Sequence, residues 1–381
     1  MKKAIPLIAL GITFSLLALK PNQSIDQGYS VDELRALYSS GDQSKWPTPT
    51  VDSAVYADGF EDIGSFGEVP FPKDNPYSKE KADLGKVLFF DPRLSGSKQI
   101  SCANCHDPEL NWGDARRVAY GEDRQLGRRN SPSLMNIAYS KAFFWDGRAN
   151  SLEEQVEFPI RDTKEMNFHI DFATKRIAGI KGYKQLFKEA FGSEKVTNER
   201  IVQAIATFER TILSPKTRFD KFIAGDAKQL TDQEIQGLHL FRTKARCINC
   251  HNTALFSDSK FHNIGLTYYG REYEDLGLYN ITKLAKNVGE FKTPSLREVP
   301  QNAPYMHNGL FPNIRGVLNM YNAGMFRFQP NEKQKNDTLF PKTSDLVLKL
   351  DLNDAELNAL EAFLMSLKQN QYKMRSPELP K

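Results

Sequence analysis

Every cysteine in this 381-residue chain lies in one of two copies of a single motif, Cys102-Ala-Asn-Cys105-His106 and Cys247-Ile-Asn-Cys250-His251, placed 145 residues apart. C-x-x-C-H is the attachment signature of haem c. Two thiols add across the haem vinyl groups, and the adjacent histidine gives an imidazole nitrogen to the iron. All three side chains must fall within about one turn of helix, which sets the spacing. Two redox-active C-x-x-C pairs, or a four-cysteine zinc site, are the competing readings. A redox pair has no need of the histidine, and a structural zinc site does not explain why the motif occurs twice. Two haem c groups are therefore expected, one held by Cys102, Cys105 and His106, the other by Cys247, Cys250 and His251.

Such a chain must enclose each haem, and 381 residues leave room for two domains of ordinary size. The composition, 40% hydrophobic and 26% charged, is that of a globular protein. A formal net charge of +4 without an arginine-rich run gives no support to nucleic acid as a partner. Met1-Lys2-Lys3 followed by the apolar run Ala4 to Leu19 reads as a secretory signal over residues 1–20, short for a transmembrane helix. Lys20-Pro21 stands where small residues are expected at a cleavage point, so an uncleaved N-terminal anchor stays open. No cysteine follows the apolar run, which argues against a lipoprotein. Export to the periplasm is the expectation, and it suits haem c. The cysteines are then thioethers rather than the disulfides that oxidising surroundings would favour.

Residues 21–76 read as an irregular N-terminal extension rich in Pro, Gly, Ser and Asp, with one helix near Val31 to Tyr38. A first haem domain is expected over 77–225 and a second over 226–381. Helical periodicity marks Lys79 to Phe90, Ser151 to Val156, Ile170 to Ile180, Tyr183 to Phe191 and Asn198 to Leu213. Pro215 to Gly225 reads as a connector. Thr231, with Glu234 three residues on, caps a helix through Phe241. A long loop-rich stretch reaches Asn313, a short helix spans Ile314 to Tyr321, and an amphipathic helix over Asp354 to Leu367 closes the chain. Alternation at period two is rare, so the chain reads as mainly α.

Several strings lie in order around the two motifs: Gly85-Lys-Val-Leu-Phe-Phe-Asp91, Arg129-Asn-Ser-Pro-Ser-Leu134, Phe144-Trp-Asp-Gly-Arg148, Lys292-Thr-Pro-Ser-Leu-Arg297 and Ala303-Pro-Tyr-Met-His-Asn-Gly309. Together they resemble the bacterial di-haem cytochrome c peroxidase family, which includes the MauG-type enzymes, from about Leu84 to Leu367. The resemblance implies a mainly α fold of two cytochrome c-like haem domains with long loops and little β structure. It implies a peroxidatic haem in the first domain and an electron-transfer haem in the second. Glu165 matches the family's catalytic glutamate, whose task is to move a proton between the two oxygens of peroxide. A glutamate in a Lys-Glu pair is otherwise a solvated surface group. Gln155 and Pro159 match other pocket residues. Trp145 matches an indole between the haems, able to carry an electron hop, where the plain alternative is a core tryptophan. A Ca²⁺ between the domains is implied on Asn130 through its side chain and on Asn302 and Pro304 through their carbonyls. The implied reaction reduces hydrogen peroxide to water with electrons from a small cytochrome c or cupredoxin. Monomer and homodimer are both left open.

Two positions depart from the peroxidase pattern. Where many members carry a histidine that blocks the first haem, this chain has Glu122, and no histidine lies between His106 and His169. The first iron is then expected to be open to peroxide, unless the Glu122 carboxylate reaches it. Where peroxidases place a methionine on the second haem, counting from His307 arrives at Tyr321, as in MauG-type members, with Met320 one place before. Neighbouring residues on a helix point about 100° apart, so only one of the two faces the iron. Tyr321 is the expected ligand. Two further readings stay open: a MauG-like oxidase of a protein or organic substrate, and a non-enzymatic di-haem electron carrier. His169, His239 and His262 read as surface or core residues, and His307 as packing near the second haem without binding it.

Overall fold

The structure is a computed structural model that describes residues 28–369 and 374–381; the expected signal over 1–20 lies outside the described residues. Twelve α-helices occur among the described residues: α1 Val31–Tyr38, α2 Ser53–Ala57, α3 Lys79–Phe89, α4 Leu152–Arg161, α5 Ile170–Ala178, α6 Lys181–Phe191, α7 Asn198–Glu209, α8 Arg218–Ile223, α9 Asp232–Arg242, α10 Tyr279–Thr282, α11 Ile314–Asn322 and α12 Asp354–Ser366. β structure is limited to two strands of two residues, β1 Phe261–His262 and β2 Phe291–Lys292, paired antiparallel. The expected mainly α fold with little β is what forms.

One packing unit occurs twice. In the first, α3 crosses α7 at Gly85, where an added Cβ would lie 1.9 Å from the Ala204 carbonyl oxygen and 2.8 Å from the Phe208 Cβ. In the second, α9 crosses α12 at Gly237, 1.9 Å from the Ala359 carbonyl oxygen and 2.7 Å from the Phe363 Cβ. Only glycine permits backbones this close. Around each crossing the same aromatic set interlocks. Phe89 meets Phe208 edge-on at 5.3 Å, and Phe241 meets Phe363 edge-on at 5.4 Å. The two crossings share one residue pattern, Gly85-x-x-Leu88-Phe89 with Ala204-x-x-x-Phe208, and Gly237-x-x-Leu240-Phe241 with Ala359-x-x-x-Phe363. Two separate apolar cores result, one built on α3, α5, α6 and α7, the other on α8, α9 and α12.

Caps mark the helix starts as the sequence leads one to expect. Thr231 and Glu234 form the reciprocal capping box on α9, and Asn353 with Glu356 form another on α12. Pro215 to Gly225 is not a plain connector. Thr217 and Asp220 make a third capping box there, and Phe219, Phe222 and Ile223 of α8 bury into the second core. These residues therefore pack with the chain beyond 226 rather than with residues 77–213.

The chain ends cross over. The N-terminal extension puts Leu34, Tyr38, Trp46 and Ile63 into the second core. It is fastened there by Arg242, which donates to the Tyr38 hydroxyl at 3.0 Å and the Pro47 carbonyl at 2.8 Å and pairs with Asp62. The C-terminal tail returns to the first unit: Gly182 donates to the Lys381 carbonyl at 2.9 Å, Arg93 to the Pro380 carbonyl at 2.9 Å. No helix among the described residues is long and apolar enough to cross a membrane.

Candidate functional site

Both C-x-x-C-H motifs fold the same way. Short 3₁₀ turns at Cys102–Asn104 and Cys247–Asn249 bring each histidine back over its first cysteine: His106 N–H donates to the Cys102 carbonyl at 3.0 Å, His251 N–H to the Cys247 carbonyl at 2.9 Å. The imidazoles are then fixed from behind. His106 Nδ1 lies 3.0 Å from the Trp112 carbonyl oxygen, and His251 Nδ1 lies 3.0 Å from that of Phe256. A carbonyl only accepts, so Nδ1 carries the proton and each Nε2 lone pair is left for a metal. Burial holds both imidazoles below their ordinary pKa, in the neutral form a ligand must have. No disulfide joins the four cysteines, and each residue is half-buried. Paired thiols with an imidazole oriented beside them are the donor set haem c requires, so these residues fit the group.

The surroundings of the two motifs differ. At the first, the charge of Glu165 reaches both Cys102 and Cys105. Burial pushes the Glu165 carboxyl up to about 7; Asp162 adds to the shift and Arg148 opposes it. Glu165 is half-buried rather than a fully solvated surface group. Glu165 is set by the backbone around it: its N–H donates to the Asp162 carbonyl at 3.1 Å, and its carbonyl accepts from Glu122 N–H at 2.9 Å. Gly121 presses on this turn so closely that an added Cβ would lie 1.9 Å from the Lys164 carbonyl oxygen. Gln155 and Pro159 stand one turn apart on α4, and the Pro159 carbonyl accepts from Met166 N–H at 3.1 Å, tying α4 to the Glu165 turn. A cavity of about 590 Å³ opens alongside, lined by Ile100, Asn104, Arg116, Tyr120 and Glu122.

Glu122 is held at one of its two oxygens. Only 4% exposed, its Oε1 accepts from Ser97 N–H at 3.0 Å and from Ser97 Oγ at 2.9 Å. Those bonds pin the carboxylate to the 95–97 turn. The remaining histidines are placed elsewhere. His169 caps α5, His239 bonds the Tyr38 hydroxyl at 2.9 Å in the second core, and His262 meets Asp258 at 2.7 Å. His307 stacks on Phe291, ring centroids 3.6 Å apart.

Trp145 sits where the two units meet. Its Nε1 donates to the Asn130 carbonyl at 2.9 Å, its own carbonyl accepts from Lys292 N–H of β2 at 2.9 Å, and its ring lies edge-on to His307 at 6.3 Å. Asn130 N–H donates to the His307 carbonyl at 2.8 Å. Arg129 binds Asp146 on one side and Asp275 on the other, closing the seam with buried charge. The same seam brings the 302–307 loop to Asn130. The Asn130 amide nitrogen donates to the Arg116 carbonyl at 2.7 Å, which orients its oxygen, and Asn302 accepts from Asn111 at 2.5 Å.

At the second motif, Tyr321 of α11 lies within electrostatic reach of Cys250 and Cys247. Burial pushes its phenol well above the ordinary value, and the charges of Cys250 and Cys247 add to the shift. Met320, one residue earlier, packs with Tyr321 on the cluster of Leu266, Met325 and Val347. A group not foreseen from sequence lies here as well. Cys250, Asp258 and His262 present their side-chain heteroatoms within 4.8 Å of one another. Burial works to lower His262, but hydrogen bonds to Asp258 and Cys250 outweigh it and push it up to about 10. The spacing of Asp258 and His262 carried no metal or haem signature on its own, so nothing in the sequence pointed to it.

The profile of the di-haem cytochrome c peroxidase family matches residues 79–228. Methylamine utilization protein MauG of Methylorubrum extorquens is 39% identical over 315 residues, covering 82% of this chain and 85% of that protein. The chain belongs to the di-haem cytochrome c peroxidase and MauG family. Cytochrome c551 peroxidase of Nitrosomonas europaea is 33% identical over 312 residues, 82% of this chain and 86% of that one. Among solved structures, a MauG-like protein associated with microbial copper homeostasis superposes with a TM-score of 0.71 at 30% identity, covering 79% of this chain and 93% of that one. As a family member the chain is an oxidoreductase, and the family implies haem c as its cofactor. Members named for peroxidase activity and members named MauG both stand among its relatives.

Proposed function

We propose that this protein is a periplasmic di-haem c peroxidase, reducing hydrogen peroxide to water with electrons from a small cytochrome c or cupredoxin. One arrangement supports the reading: the half-buried Glu165 carboxyl, pushed up to about 7 by burial, lies within electrostatic reach of Cys102 and Cys105 while Glu122 is tied to Ser97. Cys102, Cys105 and His106 would hold haem c, which would supply a redox metal centre passing the donor's two electrons to peroxide. Glu165 accepts the proton of one peroxide oxygen and returns it to the other, which leaves as water. Gln155, on the adjoining face of α4, orients the bound oxygens. Trp145, spanning Asn130 and Lys292, shortens the electron path between the units. Asn130 Oδ1 with the Asn302 and Pro304 carbonyls offers the neutral oxygen donors that suit Ca²⁺. Dialysis against chelator is expected to release a stoichiometric Ca²⁺ and to alter Trp145 fluorescence.

Mixing the protein with peroxide and reduced cytochrome c in a stopped-flow instrument tests the reading. Rapid peroxide-dependent oxidation of the donor is the expected result. Negligible turnover together with two six-coordinate haems would instead identify an electron carrier.

Tyr321 favours a second reading, a MauG-like oxidase that draws electrons from a protein or organic substrate. A phenolate on the second iron stabilises its oxidised form, whereas a thioether favours the reduced form. Tyr321→Phe is expected to raise the second haem's potential and change its absorption spectrum. If spectrum and potential both stay as in the wild type, Tyr321 is not the ligand and Met320 takes its place.

A further inference from the structure

The two repeated units differ at one buried position that the peroxide chemistry above does not use. Phe208 of α7 and Phe363 of α12 occupy equivalent places at the helix crossings. The next residue in the second unit is Leu364, 7% exposed within an apolar core. In the first unit it is Glu209, 4% exposed. Its Oε2 is buried without a hydrogen-bond partner among the described residues. Its charge bears on Cys102, the first haem-attachment thiol, second only to burial among the causes acting there. The neighbouring cation is already taken, since Arg210 grips Glu153 of α4 with two bonds of 2.7 and 2.9 Å. On α3, Lys81 is turned to Asn75 Oδ1 and the Pro76 carbonyl, both at 2.8 Å. On α5, Arg176 binds the carbonyls of Arg93 and Ser95, and Asp171 accepts from Asn198. None of these cations bonds Glu209, and the charges that act on it are those of Arg210 and Glu153. Burial accordingly pushes its carboxyl up to about 8; Arg210 opposes the shift and Glu153 adds to it.

We propose that Glu209 is a redox-linked proton site of the first haem, a neutral carboxylic acid whose proton leaves when that haem is oxidised and returns when it is reduced. The physical reason is Coulombic. Removing an electron from the iron adds a positive charge a short distance from a carboxyl in low dielectric, which stabilises the carboxylate. In each oxidation one electron goes to the acceptor and one proton goes from Glu209 to solvent; reduction reverses both. The result is that the first haem takes up and releases charge at a nearly constant local total, at a residue distinct from Glu165. The second unit, with Leu364 at the same place, has no such group there. This inference rests on haem attachment at Cys102 and not on the peroxidase reading, so either can fail alone.

Spectroelectrochemical titration of both haems from about pH 6 to about pH 10 tests it, because proton-coupled potentials shift with pH by at most about 59 mV per unit. In the wild type the first haem's potential is expected to fall as pH rises through this range. Glu209→Gln is expected to remove the part of that slope centred near pH 8, to keep any part that Glu165→Gln removes, and to leave the second haem's pH response unchanged. A wild-type slope in E209Q overturns the proposal, as does loss of the whole slope in Glu165→Gln. If E209Q fails to load haem, Glu209→Leu, which copies the arrangement at Leu364, provides the same measurement. Infrared redox-difference spectra of Glu165→Gln, which removes the other raised carboxyl beside the first motif, provide a second reading. A protonated-carboxyl band that disappears on oxidation is expected, and its absence rules the proposal out.

Discussion

Glu165→Gln is expected to lower peroxide turnover by about 10² to 10⁴-fold while leaving the haem content and both haem spectra intact. The amide keeps the shape of the side chain, and the backbone bonds from Glu122 and to Asp162 that place the turn do not involve the carboxyl. What is lost is the ability to accept a proton and give it back. The pH profile separates this role from a structural one. The Glu165 carboxyl is pushed up to about 7, mainly by burial, so it is protonated below that value and cannot act as a base. Turnover should therefore rise with pH through about 7 and level off above it, and E165Q should lose that inflection. The stability consequence has the opposite sense. Between the ordinary carboxyl value and about 7 the folded state binds the extra proton, so Glu165 makes the fold less stable as pH rises through that window. E165Q is accordingly expected to turn over peroxide far more slowly and, near neutral pH, to be more resistant to denaturation. Loss of activity accompanied by loss of stability would place Glu165 in the fold rather than in the chemistry.

What the sequence disclosed tracks how local each feature is. Cysteine attachment and the proximal histidines are written within five residues, and the 3₁₀ turns at Cys102 and Cys247 form from those residues alone. Helix starts with a capping box were legible at Thr231 for the same reason. The matching box at Thr217 and Asp220 was overlooked because the flanking Pro215 and Gly225 dominate the composition of that stretch. Features that depend on distant chain were not legible. Glu165 reads as a surface glutamate until the 121–122 loop is folded over it, and Glu122 reads as a free carboxylate until Ser97 is beside it. The extension over 21–76 looked irregular, yet Tyr38 and Trp46 belong to a core more than 150 residues further along the chain. Its helix was visible; its partner was not. Glu209 is the sharpest case, since nothing in Phe-Glu-Arg announces that the middle residue is buried and that its neighbour Arg210 is spoken for by Glu153.

Gly85→Ala and Gly237→Ala are expected each to destabilise the protein by about 3 kcal/mol or more, the upper end of overpacking effects, because the obstacle is backbone rather than a movable side chain. The added methyl would sit 1.9 Å from a carbonyl oxygen at both crossings, so the helices must separate. Separation cannot stay local. Phe89 and Phe208 touch across the first crossing, and Trp112, whose carbonyl fixes His106, packs edge-on to both. Phe241, Phe363 and Phe256 stand in the same relation to His251 at the second. Each substitution should therefore loosen the proximal histidine of its own unit and leave the other alone. Calorimetry is expected to show a drop of about 6–12 °C in the transition of the affected unit. Haem quantified per chain should fall at the altered unit only: the first for G85A, the second for G237A. Gly179→Ala, at an exposed helix end where an added Cβ meets nothing closer than 3.5 Å, is the control and should change neither quantity. If G85A and G237A behaved like that control, the repeated crossing would be a coincidence of sequence rather than the element that holds each haem's histidine in place.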